Sequence, residues 1–476
     1  MHIAMIGGGY VGLVSGACFA DIGHDVCVVE ADPLRFSALR DGRIPIFEPG
    51  LDALVARNVR CGRLRFESEL RHALQGADAV FLAVGTPSRR GDGHADLTHV
   101  FSAAEQIAAA LTHSTVLVTK STVPVGTGRR LLALLAELRP DLQIEVASNP
   151  EFLREGSAIE DFLRPDRVVV GTESTQARAV LGNIYGPLNL QPGALLLTDI
   201  ESAELIKYAA NSFLAMKISF INEIADLCEK VGANVRDVAH GVGLDQRIGS
   251  KFLTPGPGYG GSCFPKDTQA LMRIAQEAGA PLRLVEAVVS VNDARKAGMA
   301  GRIIAHCGGS VRGKQVAVLG LTFKPGTDDM RDAPSISIVD RLIAEGAKVS
   351  AFDPVGTEQA RPLLPKSTRY CEDVADAVAD ADVVVIVTEW DTFREISPQW
   401  LRKAMRGSVV VDLRNVFDAD EMRKAGMTYH SIGRPTAPAM AERAPGDISL
   451  RPRRRRQASE MDRRFSNAGG LEQRPS

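Results

Sequence analysis

The sequence predicts an α/β protein in which two doubly wound parallel sheets are joined by a long central helix and a helical segment. Short apolar runs recur along the first third of the chain, and a stretch with helical spacing precedes each of the later ones. This alternation is typical of parallel sheets covered by helices. It stops at a long helical pattern and then resumes, so that residues 381–388 echo residues 77–84. We therefore expect two related α/β domains around a helical one.

The first elements follow from the local pattern. An apolar strand over residues 2–7 leads into a glycine-rich turn, a helix over residues 13–23 and a second strand over residues 25–30. Such a strand–helix–strand unit is the building block of a parallel sheet. Further apolar runs predict more strands of this sheet, at residues 79–84, 115–119 and 144–147.

The middle of the chain is predicted to be helical. Apolar residues recur at helical spacing from Glu201 to Val231 without a proline, and Gly232 ends the pattern. Because helices of globular domains are usually shorter, we expect this one to bridge domains or to build a subunit interface. A second long helix is expected over residues 282–305.

The third section resumes the sheet pattern, with strands expected at residues 314–320, 348–353, 381–388 and 408–412. The last 40 or so residues are rich in Arg and Pro and have almost no apolar periodicity, so we expect them to be disordered. The predicted domains are a first sheet domain at 1–200, a central helical domain at 201–298, a second sheet domain at 299–435 and the tail at 436–476.

The composition is that of a soluble globular protein. The chain has 476 residues, of which 45% are hydrophobic and 24% are charged. No apolar run approaches the ~18 residues that a membrane span needs. The first residues carry no basic segment of the kind that opens a signal peptide, so we expect a cytoplasmic protein.

Charge and cysteine content argue against some classes of function and of site. The net charge is −2, but residues 436–476 hold nine Arg against five acidic residues, which leaves −6 elsewhere and argues against nucleic-acid binding by the folded part. The run Arg453–Arg456 suits acidic partners or a membrane surface, although a solvated extension is the commoner case. The seven scattered cysteines lack Cys-x-x-Cys pairs, so we expect neither a disulfide framework nor a metal site.

Cys263 differs from the other cysteines in its surroundings. It follows Gly260-Gly261-Ser262 and precedes Pro265, which suits the first turn of a helix. A thiol at a helix N-terminus meets the positive end of the helix dipole, and Lys266 adds a charge nearby. Because both effects lower the pKa of a thiol, we expect Cys263 to be a reactive nucleophile.

A glycine fingerprint, Gly7-x-Gly9-x-x-Gly12, follows the first strand and opens the first helix. The first glycine permits the turn, the second admits a pyrophosphate and the third allows close packing of the helix. Glu30, at the end of the second strand, would hold the ribose hydroxyls and repel a 2′-phosphate. We therefore expect a Rossmann-like NAD site, for which a nucleotide-free glycine turn is the alternative.

Two further segments follow strand ends, Gly85-Thr86-Pro87 and Lys120-Ser121-Thr122-Val123-Pro124. Ligands of open α/β sheets gather at the carboxyl ends of the strands. Each segment alone is compatible with ordinary turn chemistry. Two such segments at one edge of the sheet favour a surface that binds a cofactor.

Lys207 and Asn211 lie four residues apart, so that they share one face of the long helix with Glu204. A lysine that faces a site can stabilise an oxyanion or transfer a proton. An ordinary solvated Glu–Lys pair is the alternative, because charge is common on helix surfaces.

Glu151 and Glu155 are also four residues apart, and Pro150 predicts that a helix starts there. In a cleft, a raised pKa would let one of them activate water. The alternative is that both are acidic residues at a helix N-terminus, where they favour the helix dipole.

Together these motifs resemble the UDP-glucose/GDP-mannose dehydrogenase family, over about residues 1–433. The form Cys263-Phe264-Pro265-Lys266-Asp267 is similar to that of the branch that acts on UDP-glucose. The matching segments are 7–12, 84–87, 121–127, 150–156, 204–208, 260–267, 323–324 and 412–415.

The resemblance implies an NAD-dependent double oxidation of UDP-glucose, from the C6 alcohol to the carboxylate, with two NAD⁺ consumed. It implies that the Cys263 thiolate adds to the aldehyde, that the thiohemiacetal is oxidised to a thioester, and that water releases the acid. The implied catalytic residues are Cys263, Lys207, Asp267, Asn211, Thr122, Glu151 and Glu155.

Within that set, the resemblance assigns oxyanion stabilisation to Lys207, with support from Asn211. Asp267 and Thr122 would position a water that accepts a proton in the first oxidation. The thioester would be hydrolysed with help from Glu151 or from Glu155, and both alternatives stay open.

The binding residues are implied in the same way, and Arg247 would be lent by a neighbouring subunit of a dimer or larger homo-oligomer. Those for NAD are Gly7, Gly9, Tyr10, Val11, Gly12, Glu30, Arg35, Thr86, Pro87, Ser121, Thr122, Glu155, Lys266 and Arg331. Those for the UDP-sugar are Glu151, Phe152, Leu153, Lys207, Asn211, Arg247, Phe252, Leu253, Gly258, Tyr259, Gly260, Lys324 and Arg414.

The chain departs from the family at Glu30, where an Asp is usual, which weakens the NAD preference slightly. Three alternative functions follow from the same motifs. The same chemistry on GDP-mannose or a UDP-N-acetylhexosamine is one, a single-step β-hydroxyacid dehydrogenase without a nucleophilic cysteine is another, and a non-catalytic nucleotide-sugar sensor is the third.

Overall fold

The computed structural model, which describes residues 1–89 and 93–435, contains an eight-stranded sheet and a six-stranded sheet. The strands of the first sheet are β1 (His2–Ile6), β2 (Asp25–Val29), β3 (Leu64–Glu67), β4 (Ala79–Leu82), β5 (Thr115–Thr119), β6 (Ile144–Ser148), β7 (Val168–Gly171) and β8 (Leu195–Thr198). Those of the second are β9 (Gln315–Leu319), β10 (Lys348–Phe352), β11 (Arg369–Tyr370), β12 (Val383–Ile386), β13 (Val409–Asp412) and β14 (Thr428–Ser431).

The two sheets share one strand order, which confirms the prediction of two related doubly wound domains. The order β3-β2-β1-β4-β5-β6 in the first sheet corresponds to β11-β10-β9-β12-β13-β14 in the second. This is the order of sheets that bind dinucleotides at the point where the winding reverses.

The first sheet differs from the prediction at its far edge. β7 pairs antiparallel with β6, and β8 pairs parallel with β7. The connection from β6 to β7 contains an irregular loop and one short helix instead of a long crossover helix of the kind that joins parallel neighbours. The sheet therefore reverses direction beside the candidate site.

Helices surround both sheets. Those of the first sheet are α1 (Tyr10–Asp21), α2 (Pro33–Arg40), α3 (Leu51–Arg60), α4 (Leu70–Leu74), α5 (Thr98–Ala110), α6 (Thr127–Leu138), α7 (Ala158–Leu163) and α8 (Thr175–Tyr185), followed by a 3₁₀ turn at Gly186–Leu188. The helical region contains α9 (Ile200–Val231), α10 (Val235–Gly243), α11 (Phe264–Glu277) and α12 (Arg283–His306). Those of the second sheet are α13 (Pro334–Ala344), α14 (Thr357–Ala360), α15 (Val374–Val378), α16 (Asp391–Arg394), α17 (Pro398–Ala404) and α18 (Ala419–Lys424).

The long helix α9 ends where the sequence predicts. Asp199 accepts a hydrogen bond from the Ser202 N–H at its start (2.7 Å), and Gly232 ends it in the left-handed region with a φ of 80°. α9 packs against α11 and α12, and thereby holds the helical region together. Within residues 1–89 and 93–435, no helix is both long enough and apolar enough to span a bilayer.

Both faces of each sheet are buried. In β1, Ile3 and Met5 belong to one hydrophobic cluster, while Ala4 and Ile6 belong to the cluster on the other face. This alternation follows from the two-residue period of a strand. Since the faces are covered, polar groups that bind ligands are placed at the carboxyl ends of the strands, where β1, β4 and β5 lie side by side.

Candidate active site

A cavity of about 840 Å³ lies between the loop after β6, the helix α9, the loop before α11 and the second sheet region. Of the predicted substrate residues, it is lined by Glu151, Phe152, Leu153, Lys207, Asn211, Phe252, Gly258, Tyr259, Gly260, Lys324 and Arg414, together with the predicted nucleophile Cys263.

Two predicted substrate residues are not brought to this cavity. The side chain of Leu253 is buried in the hydrophobic cluster of the second sheet. The side chain of Arg247 is 89% exposed and pairs with Asp245 at 2.6 Å. An arginine that acts in a neighbouring subunit would be exposed in its own chain, so its placement is compatible with that prediction.

Cys263 occupies the N-cap position of α11, and Pro265 lies in the first turn, as the sequence predicts. The loop before it approaches the second sheet region closely. A Cβ at Gly260 would lie 2.3 Å from the carbonyl oxygen of Asp332, and one at Gly261 would lie 2.6 Å from the ring of Phe323. Only glycine fits these contacts, so the two glycines place the thiol at the junction of the regions.

The predicted lowering of the Cys263 pKa is wrong. Burial raises the pKa of this thiol, and the nearby charge of Lys207 only opposes the effect. The ammonium of Lys266 contacts the Asp267 carboxylate instead, with Nζ 2.6 Å from Oδ1. The cost of removing the thiolate from water therefore outweighs its attraction to the cations. The thiol needs a base to lose its proton.

Lys207 faces the cavity and is 3% exposed, which excludes the solvated surface pair. Its Nζ donates to the carbonyl oxygen of Glu151 at 2.6 Å and to Oε1 of the same residue at 2.9 Å. Burial opposes the charge of Lys207, but the pairing with Glu151 more than offsets it, so the pKa of Lys207 is raised. Glu204 binds the N–H groups of Gly126 and Gly128 instead.

Asn211 lies one turn further along α9 on the same face. Its Nδ2 donates to Oδ2 of Asp267 at 2.6 Å. Because Asp267 is fully buried and also bound by Lys266, both of its oxygens are held in place. α9 and α11 thus present an ammonium, an amide, a carboxylate and a thiol to one space.

The helix start predicted at Pro150 is wrong, because residues 149–157 form an irregular loop and α7 begins only at Ala158. Side-chain carboxylates bind the backbone N–H groups of this loop. Glu151 accepts from the N–H of Leu153 (2.6 Å), and Glu48 accepts from those of Gly156 (2.6 Å) and Ala158 (2.7 Å). Such contacts compete with helix formation, which explains the difference.

Glu155 therefore points away from Glu151. Its Oε1 accepts from the hydroxyl of Ser262 and its Oε2 from that of Thr327, both at 2.9 Å. Burial and the nearby Asp329 raise the pKa of Glu155. Arg331 lies 3.5 Å from Oε1 and is bound more closely by Asp329.

The glycine turn fits the pyrophosphate of NAD. Gly7 has a φ of 112°, and a Cβ at Gly12 would lie 1.9 Å from the carbonyl oxygen of Gly7. A Cβ at Gly9 would meet no atom within 4 Å, so the backbone is open to a ligand at the N-terminus of α1. α1 starts at Tyr10, three residues earlier than predicted, and Tyr10 donates from its hydroxyl to Glu48.

Among the other predicted cofactor residues, those after β2, β4 and β5 lie along the sheet edge beside this turn, whereas Glu155, Lys266 and Arg331 bond to residues elsewhere. Glu30 is buried and accepts from the N–H of Asp32 at 2.8 Å, while Arg35 is exposed on α2. The two segments after β4 and β5 are in contact. Thr86 donates from its hydroxyl to the Thr122 carbonyl (2.9 Å), and Ser121 donates to the carbonyl of Val84 (2.7 Å). Two more predicted cofactor residues are Pro87, which is exposed, and Val11, which is half-buried.

Several cationic residues of the cavity wall were not predicted as site residues, Lys120 and Arg167 among them. Lys120 is buried, with Nζ 3.1 Å from both Asn149 Oδ1 and the Tyr185 hydroxyl, and burial lowers its pKa to about 7. Its position directly after the buried strand β5 was the available signal. The Arg167 guanidinium lies 3.9 Å from the ring centroid of Phe152, a contact for which the sequence has no local signal.

The chain is similar to known proteins over most of its length. The family model "UDP-glucose/GDP-mannose dehydrogenase family, NAD binding domain" matches residues 1–189, the central-domain model of that family matches 201–294, and its UDP-binding-domain model matches 317–419. The chain is 58% identical to a UDP-glucose 6-dehydrogenase of Rhizobium meliloti (strain 1021) over 437 residues, which cover 91% of this chain and 100% of that protein.

Two further proteins are similar to this chain over most of its length. The UDP-glucose 6-dehydrogenase TuaD of Bacillus subtilis (strain 168) is 46% identical over 434 residues, which cover 91% of this chain and 93% of the relative. The structure of a UDP-glucose dehydrogenase from Pyrobaculum islandicum superimposes with a TM-score of 0.82 at 39% identity, covering 90% of this chain and 96% of the other. The chain is an NAD-binding oxidoreductase, and it belongs to the UDP-glucose/GDP-mannose dehydrogenase family.

Proposed function

We propose that this protein oxidises C6 of UDP-glucose twice, to UDP-glucuronate, through a covalent adduct on Cys263. The observation that carries the proposal is that the half-buried Cys263 thiol, the buried Lys207 ammonium and the buried Asn211 amide line one cavity, and that Asn211 donates to the buried Asp267 carboxylate. NAD⁺, when bound at the glycine turn, supplies the hydride acceptor for each oxidation. The identities with UDP-glucose 6-dehydrogenases support the choice of substrate.

In the first oxidation the protein removes the proton of the C6 hydroxyl. Asp267 and Thr122 position the water that takes this proton. Lys207 stabilises the alkoxide, because Glu151 engages two of its three N–H donors and one remains for the substrate oxygen. Asn211 keeps the Asp267 carboxylate in position.

In the second oxidation the Cys263 thiolate forms a bond to the aldehyde carbon and gives a thiohemiacetal. This adduct loses a hydride and becomes a thioester. Water then gives one proton to a base as it attacks the thioester carbonyl, the C–S bond breaks, and the products are the thiolate and the carboxylic acid, which loses its proton to solvent. A nucleophile is needed because an aldehyde has no hydride to transfer until a group adds to it.

We propose Glu151 as the base for this hydrolysis. Burial disfavours its charge, but Lys207 more than offsets this effect, so the pKa of Glu151 is lowered and the carboxylate is ionised at neutral pH. Its ion pair with the ammonium assigned to the substrate oxygen supports a role at the thioester carbonyl. Glu155 is bound by Ser262 instead.

The UDP group is assigned to Lys324 and Arg414 of the second sheet region and to the loop around Tyr259. The family description of residues 317–419 as a UDP-binding domain supports this assignment. Arg414 is oriented by the carbonyl oxygens of Val387 and Phe323, each at 2.8 Å, so that its guanidinium is fixed before a ligand binds. Fixed cations of this kind suit a diphosphate.

We also propose a homo-oligomer, at least a dimer, in the cytoplasm. Arg247 lies on an exposed loop that Lys217 of α9 holds through the carbonyl oxygen of Ile248 (2.9 Å). Its side chain pairs with Asp245 and is 89% exposed, as an arginine that acts in a neighbouring subunit has to be. All seven cysteines are unpaired, as expected in a reducing compartment where Cys263 stays a thiol.

The decisive experiment counts NADH for each UDP-glucose consumed and identifies the product by chromatography. Two NADH and UDP-glucuronate are expected, whereas one NADH would favour a single-step β-hydroxyacid type of reaction. GDP-mannose and a UDP-N-acetylhexosamine, tested in parallel, are expected to react more slowly. Binding of UDP-glucose without turnover would favour a sensor.

The variant Cys263→Ser tests the covalent step. We expect it to form no net UDP-glucuronate, while a slow first oxidation or a trapped ester adduct persists, because the serine hydroxyl is a poorer nucleophile and leaving group. Mass spectrometry of the protein and of the nucleotide sugar would detect both. Cys61→Ser, which changes an exposed cysteine outside the cavity, is the control. Wild-type acid production by Cys263→Ser would refute the mechanism.

A further inference from the structure

The thiol of Cys263 requires a proton acceptor. Burial raises its pKa, yet the nucleophile is the thiolate. Lys207 favours the thiolate by its charge, but an ammonium has only donors and cannot take the proton. A base that reaches the sulfur must therefore lie close to it.

Of the three carboxylates that the resemblance assigns to catalysis, two make their hydrogen bonds to groups away from the thiol. Asp267 is bound through one oxygen by Asn211 and through the other by Lys266. Glu151 is bound through one oxygen by Lys207 and through the other by the N–H of Leu153. In the part of the chain that the structure describes, neither carboxylate bonds to the sulfur or to Ser262.

The third carboxylate is connected to the sulfur through Ser262. The Ser262 Oγ lies 3.4 Å from the Sγ of Cys263 and 2.9 Å from the Oε1 of Glu155. A serine hydroxyl has one proton and two lone pairs, so it donates to the carboxylate and accepts from the thiol at the same time. Thr327 donates to the other oxygen of Glu155 and thereby fixes its orientation.

We propose that Ser262 relays the proton of the Cys263 thiol to Glu155, and that Glu155 is the base that generates the thiolate. The S–H bond breaks as an O–H bond forms on Ser262, and the original hydroxyl proton of Ser262 passes to Oε1 of Glu155. One thiol and one carboxylate become one thiolate and one carboxylic acid, with no change in total charge.

After the transfer the two hydrogen bonds reverse. Glu155 then donates to Ser262, and Ser262 donates to the thiolate, which stabilises its charge. The raised pKa of Glu155 makes its carboxylate a stronger proton acceptor than an ordinary one. This inference rests on the proposed nucleophilic role of Cys263.

The test is the rate of alkylation by iodoacetamide as a function of pH, without NAD⁺ or UDP-glucose. The full chain with Cys61→Ser is the background, because Cys61 is the exposed cysteine and the five apart from Cys61 and Cys263 are buried. Peptide mapping confirms that the label is on Cys263. In this background we compare Ser262→Ala, Ser262→Thr and Glu155→Gln.

Ser262→Ala and Glu155→Gln are each expected to slow alkylation at pH 7 by about 10-fold or more, which corresponds to one unit in the apparent pKa. The rate at high pH, where the thiol is already ionised, is expected to stay the same. Ser262→Thr retains a hydroxyl and is expected to restore the background profile. Thermal unfolding shows whether each variant is folded.

An unchanged profile for either Ser262→Ala or Glu155→Gln overturns the relay, and so does a Thr variant that behaves like the Ala variant. Should one of them fail to fold, the other still decides. The proposed function fails separately, if Cys263→Ser continues to form UDP-glucuronate. A relay that fails while Cys263→Ser stays inactive leaves the proposed function intact.

Discussion

Lys207 and Glu151 form an ion pair whose members are 3% and 6% exposed, with 2.9 Å between Nζ and Oε1. Burial penalises each charge, and the extra bonds to the Glu151 carbonyl and from the Leu153 N–H help to offset that cost. The pair lies beside Cys263. The Lys207 ammonium that neutralises Glu151 can therefore also bind an oxygen of the proposed substrate. Removal of one partner would leave the other unpaired.

We predict that Lys207→Ala lowers kcat by about 10²–10³-fold, because an oxyanion donor of a buried site is lost. Steady-state kinetics with UDP-glucose would measure the effect, and circular dichroism would establish that the variant is folded. Lys230→Ala, which removes an exposed lysine in the last turn of the same helix, is the matched control. An unchanged kcat in Lys207→Ala would exclude the assigned role.

At the scale of elements, α9 combines two functions on different faces. One face carries Lys207 and Asn211 into the cavity. On another, Phe213, Phe220 and Leu227 recur every seven residues and are 59%, 49% and 54% exposed. An apolar stripe at this spacing is typical of a helix that packs against a partner. We infer that a second copy of the chain covers it.

The oligomeric state tests this stripe. Phe220→Asp is expected to shift the protein toward the monomer in light scattering coupled to size-exclusion chromatography, because the interface would have to bury a charge. Leu363→Asp replaces an apolar residue of similar exposure, 47%, outside α9 and is expected to leave the mass unchanged. Equal masses for both variants would contradict the assignment of this face.

The glycine turn at residues 7–12 is the second element whose role can be tested by a substitution. Gly12→Ala would place a Cβ 1.9 Å from the Gly7 carbonyl oxygen, so we predict loss of NAD⁺ binding by calorimetry together with a lower melting temperature. Gly182→Ala, at a site in α8 with no atom within 4 Å of the new Cβ, is expected to change neither. Normal NAD⁺ affinity in Gly12→Ala would argue against a pyrophosphate at this turn.

At the scale of the whole molecule, a pair of stacked histidines is expected to make the fold sensitive to acid. His430 and His306 have ring centroids 3.9 Å apart, and both pKa values are lowered by burial, that of His430 to about 4. The unfolded chain, with an ordinary histidine pKa near 6.5, therefore binds protons before the folded one does. The stabilisation is complete above pH 6.5 and is lost as the pH falls toward 4.

We predict that the free energy of unfolding, measured by urea denaturation, decreases between pH 6.5 and pH 4, and that His430→Gln reduces this slope. His99→Gln, which changes an exposed histidine, is expected to keep the wild-type slope. If His430→Gln has the same pH dependence as the wild type, other groups are responsible for the acid sensitivity.

Sequence patterns predicted what depends on neighbours along the chain. The glycine turn, both ends of α9, the place of Cys263 at the start of α11 and the repeat of the sheet order all follow from local periodicity and from residues with restricted backbone angles. The motifs that resemble the family were recognisable for the same reason, since each is a short run of residues.

Tertiary structure decided everything that depends on which segments meet. It paired Lys207 with Glu151, 56 residues away, turned Glu155 toward Ser262, and buried Lys120 in the cavity wall. It also reversed the expected pKa shift of Cys263, because the cost of removing a thiolate from water depends on packing by distant residues. Burial and long-range charge are not encoded in local spacing, which is why the sequence alone predicted a nucleophile but no proton acceptor for it.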